Sequence, residues 1–283
     1  MESRCVPIRC FGELLGTFML VLFGCGAVHA AVLTGAQSGL WQVAIVWGIA
    51  IAVTIYTVGN VSGAHINPAM TLAFACWRGF PKALVVPYIV SQFAGAMLAA
   101  AALFVLFGPF LAAKEHDLGL ERGKPGSEMT AMCYGEYYPN PGRMESTWRT
   151  DARAAEKHGA LVSEAAAFFA EMLGTLMLAL VVFAVTDERN AAGPGGRIAP
   201  LFIGLTVAIL ISVFGPLTQA CFNPARDFGP RLFAMLAGWG EIAIPGPNGR
   251  GFFTVYIIAP IVGALIGGGL YDGVLRSPPE AQR

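Results

Sequence analysis

The sequence predicts an all-α membrane protein of six transmembrane helices plus two re-entrant half-helices, built as an inverted repeat of two halves. Three observations carry that prediction. The chain is 55% hydrophobic and only 13% charged, about half the charged share of a soluble domain. Asn-Pro-Ala occurs twice inside apolar sequence, at Asn67-Pro68-Ala69 and at Asn223-Pro224-Ala225. The two copies stand at matching places of two halves that resemble each other.

Six apolar stretches are long enough for a hydrocarbon core of about 30 Å: residues 11–33, 40–58, 83–107, 161–185, 198–214 and 252–275. The first is too long for a signal-peptide core and lacks a clear cleavage site, so it reads as an uncleaved span. Two shorter apolar pieces remain, 66–77 and 222–237. After its Pro, each offers a helix of roughly 15–20 Å, about half a membrane.

The halves repeat in order. The run Gly12-Glu13-Leu14-Leu15-Gly16-Thr17 matches Ala170-Glu171-Met172-Leu173-Gly174-Thr175, His65-Ile66-Asn67 matches Cys221-Phe222-Asn223, and Gly95-Ala96 matches Gly263-Ala264. Three spans per half is an odd number, so the second half enters the membrane from the opposite side. The chain is read as one channel domain, 1–283, comprising a first repeat (1–110), a polar connecting loop (111–160) and a second repeat (161–283). The loop reads as a solvated outer cap, with a mixed-charge surface segment at 144–157. Tyr137 and Tyr138 are candidates for shaping an outer vestibule. Arg78 and Lys82, beside the first half-helix, favour cytoplasmic termini, although the whole Lys/Arg count does not decide orientation.

Net charge is zero, which gives no case for nucleic acid, and the six cysteines form neither a CxxC nor a disulfide framework. No nucleophile–base set or metal cluster stands out, so an enzyme is not expected and no cofactor is implied.

In each motif the Asn caps a helix and the Pro takes its first position, where a missing N–H costs nothing. Inverted halves bring the two helix starts head to head near the midplane, each with roughly half a positive charge. The residues before each motif are not helical: Gly63, Ala64, His65 and Ile66 in one half, Gln219, Ala220, Cys221 and Phe222 in the other. They are expected to run extended, with carbonyls lining a polar pore. Such a pore offers acceptors to neutral solutes and a positive centre that rejects cations and protons. Glu13 and Glu171 occupy equivalent places. They read either as braces for the pre-motif backbone or as coupling groups of a secondary carrier. His65 reads as packing rather than a pH gate, and Cys221 as a buried thiol beside the pore.

Ser62-Gly63-Ala64-His65-Ile66-Asn67-Pro68-Ala69 and Asn223-Pro224-Ala225-Arg226-Asp227-Phe228-Gly229-Pro230 resemble the major intrinsic proteins, the aquaporin and glycerol-facilitator family. Asp227 and Arg231 follow the glycerol-facilitator pattern; water-specific relatives resemble Ser and Ala there. The resemblance implies a passive channel for glycerol, water and similar uncharged solutes in a cell membrane, and a homotetramer with one pore per subunit. A mainly water-conducting channel is the alternative within the family. The family's filter positions fall on Trp47, Ile211, Ala220 and Arg226. Ile211 stands where water-specific relatives have His, which argues against strict water selectivity. Ala220 departs from bacterial glycerol facilitators, which have Phe, and implies a wider aperture that accepts urea, longer polyols or metalloid hydroxides.

Overall fold

The structure, a computed structural model, describes residues 5–143 and 161–276. Among these residues, six helices are long and apolar enough to cross a membrane: Val6–Thr34, Leu40–Ser62, Lys82–Asp117, Glu164–Val185, Ala199–Thr218 and Gly251–Leu275. Two short helices, Pro68–Trp77 and Pro224–Ala234, stand after the second and fifth spans. At 1.5 Å per residue each is about 15 Å long. The six-span, two-half-helix architecture read from the sequence is the one observed.

Three details differ. The third span runs to Asp117, past its expected end at residue 107. Its 36 residues make a rod of about 54 Å, longer than a hydrocarbon core of about 30 Å, and its last turns carry Lys114 and Glu115. The connecting loop therefore begins at Leu118 rather than at Leu111.

Over its described residues, 118–143, that loop is not a solvated cap. Ala131, Met132, Cys133, Tyr134 and Tyr137 are buried and pack with Trp239 and Ala243 from beyond the second half-helix. Trp239 Nε1 donates to Thr130 Oγ1 at 3.1 Å. Arg122 lies 4.2 Å from the Trp239 ring centroid and pairs with Glu115 at 2.9 Å. Apart from Glu136, the middle of the described loop is Met, Cys and Tyr, whose burial is favourable. The expected surface segment 144–157 lies outside the described residues.

The repeat is visible in the packing. The first span packs on the third as the fourth packs on the sixth. Gly95 meets the Leu14 carbonyl, and Gly263 meets the equivalent Met172 carbonyl. The second and fifth spans join the halves where Gly48 and Gly204 face each other's carbonyls. Small residues let backbones approach this closely, which is how helices associate where lipid removes the hydrophobic drive.

Candidate functional site

Both Asn residues cap their half-helices. Asn67 Oδ1 accepts from Ala69 N at 2.9 Å. Asn223 Oδ1 accepts from Ala225 N at 3.0 Å and Arg226 N at 3.3 Å. Pro68 and Pro224 occupy the first turn in each case.

The backbone before each motif departs from the extended form expected. Gly63, Ala64 and Ile66 have φ of 91°, 50° and 45°; Gln219, Ala220 and Phe222 have 64°, 62° and 53°. Left-handed backbone costs a non-glycine residue about 1–2 kcal/mol. Its use here is to turn successive N–H groups onto one anion, a backbone nest. Glu13 Oε1 accepts from His65 N at 2.9 Å and Oε2 from Ile66 N at 2.7 Å. Glu171 does the same, Oε1 from Cys221 N at 3.0 Å and Oε2 from Phe222 N at 2.8 Å.

The match extends to neighbours. Ser62 Oγ donates to Glu13 at 2.7 Å, and Thr218 Oγ1 donates to Glu171 at 2.6 Å. Tyr88 OH donates to Ser62 O at 2.8 Å, and Tyr256 OH donates to Thr218 O at 3.2 Å. Gln92 adds one further bond to Glu13, at 2.7 Å. The carboxylates are thus bound into the loops, each hydrogen bond to a charged group contributing about 1.5–3 kcal/mol. The two tyrosines were not singled out in the sequence, although Tyr88 and Tyr256 keep the spacing of Gly95 and Gly263.

The His65 ring packs among Phe74, Phe80 and Tyr88, with centroids 4.7, 4.5 and 5.2 Å away. Cys221 is buried and its Sγ donates to Asn223 O at 3.2 Å. Phe222 does not lean toward the missing Ala220 wall: its ring lies over Gly174 and meets Phe214 edge-on.

Two cavities lie along the path between the halves. The inner one, about 140 Å³, is lined by both pre-motif segments, Asn67, Asn223 and apolar residues such as Leu20 and Val207. The outer one, about 490 Å³, is lined by Gln37, Lys114, Glu136 and Asn140 among others. Trp47, Ile211, Gln219 and Arg226 line both, so they form the partition between them. Three of the four proposed filter residues meet here, and Ala220 lies just inside.

Sequence reasoning does not supply the roles of one member of this partition, Gln219, and of one residue beside it, Glu136. Beyond its carbonyl, Gln219 uses its side chain to accept from Tyr137 N at 2.8 Å and donate to Met132 O at 3.3 Å. Glu136, from the connecting loop, forms an ion pair with Arg226. Arg226 also stacks over Trp47, 4.4 Å from the ring centroid. Tyr137 and Tyr138 are themselves buried rather than vestibule-lining. Asp227 and Arg231 explain how the loop is held: they pair at 2.9 Å, Asp227 accepts from Glu136 N at 2.6 Å, and Arg231 donates to Glu136 O.

A family model described as "Major intrinsic protein" matches residues 6–271. The chain belongs to the major intrinsic protein family. Among its family relatives, a protein named glycerol uptake facilitator protein from Haemophilus influenzae is 40% identical over 272 residues, covering 95% of this chain and 94% of the relative. A namesake from Pseudomonas aeruginosa is 39% identical, covering 96% and 91%. A propanediol uptake facilitator from Salmonella typhimurium is 38% identical, covering 93% and 92%. The crystal structure of the Plasmodium falciparum aquaglyceroporin has the same fold, with a TM-score of 0.78 at 24% identity over 96% of this chain.

Proposed function

We propose that the chain is a passive channel for glycerol and related small uncharged solutes, including urea, longer polyols, metalloid hydroxides and water, and that it excludes ions and protons. The observation that carries this reading is the partition, where Trp47 and Ile211 supply apolar surface and Arg226, stacked over Trp47 and paired with Glu136, supplies a charged edge. A polyol presents a carbon edge and a hydroxyl edge, and each hydroxyl left unpaired on entry costs roughly 1–3 kcal/mol. The polar edge and the carbonyls of Gly63, Ala64, His65, Gln219, Ala220 and Cys221 offset that cost. The names of the bacterial relatives support glycerol as the leading solute.

The carrier reading loses support from the loops, because the oxygens of Glu13 and Glu171 are occupied by fixed loop donors. In the reading proposed, the termini are cytoplasmic, the membrane is that of the cell, and four subunits assemble with one pore each. Stopped-flow light scattering of proteoliposomes tests the function. The expected result is glycerol flux well above protein-free vesicles, linear in concentration and independent of ion gradients. Saturable, ion-driven flux, or no glycerol flux, overturns it.

A further inference from the structure

Glu136 changes the charge of the constriction. Its side chain is 1% exposed and pairs with Arg226, whose side chain is 6% exposed. The second carboxylate oxygen, Oε2, has no hydrogen-bond partner. The residue's main chain is clamped on both sides, its N–H on Asp227 and its carbonyl on Arg231. Asp227 and Arg231 compensate each other. Lys114 lines the outer cavity, and among the described residues no ion pair joins it to Glu136. The charges of Arg226 and Glu136 therefore cancel locally, and a desolvated passage makes that cancellation matter more than water would.

We infer that Glu136 is a fifth filter residue, and that charge exclusion at this level belongs to the Glu136–Arg226 pair rather than to Arg226 alone. The inference rests on the channel reading above. Removing only Arg226 leaves a buried carboxylate without its counter-ion, which draws protons and cations inward from the outer vestibule. Removing both charges restores a neutral constriction, and exclusion then falls to the two half-helix starts.

The test uses proteoliposomes of the wild type, R226V, R226V/E136Q and R226V/E136D. Proton flux under an imposed pH gradient and glycerol swelling are read on the same batches. R226V is expected to leak protons about tenfold above wild type. R226V/E136Q is expected to fall back to the wild-type level, while R226V/E136D, which keeps the charge, leaks as R226V does. Equal leak in R226V and R226V/E136Q overturns the inference, and so does an R226V that does not leak. Should R226V fail to insert, R226Q with and without E136Q makes the same comparison. Absence of glycerol flux in the wild type fails the channel reading instead, and the two failures are read on separate signals.

Discussion

Asn67 and Asn223 each hold the other half of the protein. Asn67 Nδ2 donates to Phe222 O at 2.9 Å, and Asn223 Nδ2 donates to Ile66 O at 2.8 Å. Each asparagine caps its own half-helix with Oδ1 and uses one amide hydrogen on the opposite loop. The second hydrogen of each amide remains for the inner cavity, which both residues line. The carbonyls of Ile66 and Phe222 are thereby engaged across the repeat, leaving the earlier carbonyls of each loop as the freer acceptors.

Replacing either asparagine by Ala removes a cap and a cross-link together. A lost cap costs about 1 kcal/mol, and a buried carbonyl left unpaired about 1–3 kcal/mol. Asn67→Ala and Asn223→Ala are each expected to lower thermal stability in detergent by a total of about 2–4 kcal/mol. The double variant is expected to lose less than the sum, since both changes loosen one junction. Strict additivity in a denaturation series would show that the crossed bonds act independently.

Gly174 is the seat of the Phe222 ring, as Gly16 is the seat of Ile66. A methyl group on Gly174 occupies space the ring now fills, and overpacking of this kind costs about 1–3 kcal/mol. The Phe222 residue also borders the inner cavity, and displacement of its ring toward that cavity narrows it. Gly174→Ala is therefore expected to reduce glycerol flux several-fold while the protein still inserts. Swelling rates normalised to protein per vesicle check this, and unchanged flux would mean the ring finds another site.

Asp227 and Arg231 are buried, at 0% and 1% exposure, and breaking a buried pair from one side costs about 3–5 kcal/mol. Asp227→Ala leaves Arg231 uncompensated and removes the acceptor that fixes Glu136 N. Its expected effects are that destabilisation and faster proteolysis within residues 118–143. Stability lost without any change in loop protection would separate the ion pair from the loop anchor.

Much of this was legible because the sequence states it twice. The caps, the prolines, the carboxylates Glu13 and Glu171 and the glycines recur in both halves, and a feature that recurs at a fixed order constrains topology. The left-handed backbone at Ala64, Ile66, Gln219, Ala220 and Phe222 was hidden, because none of these residues favours that conformation; the carboxylates impose it. Glu136 was hidden for a different reason. The connecting loop has no counterpart in the other half. Its placement depends on burying Met132, Tyr134 and Tyr137 against Trp239 and Ala243, which no local pattern announces. The same composition that suggested a solvated cap contains the apolar residues that pull the loop inward.

Ala220 is the position where size is expected to decide selectivity. It lies just inside the partition, beside Trp47, Ile211 and Arg226 in the lining of the inner cavity, while the Phe222 ring lies over Gly174 and against Phe214. Phe at this position adds an aromatic wall to a passage already narrowed by Ile211 and by Arg226 stacked on Trp47. Ala220→Phe is expected to cut the flux of ribitol and other longer polyols first, by about tenfold for each 1.4 kcal/mol of added barrier. Glycerol should fall less and water least. The substituted residue keeps the left-handed φ that Ala220 already has, so the change adds no new backbone cost of that kind, and rates are compared as ratios between solutes within one preparation. A uniform fall in all three fluxes would mean that the loop had been displaced, whereas a graded fall identifies Ala220 as the gauge of solute width.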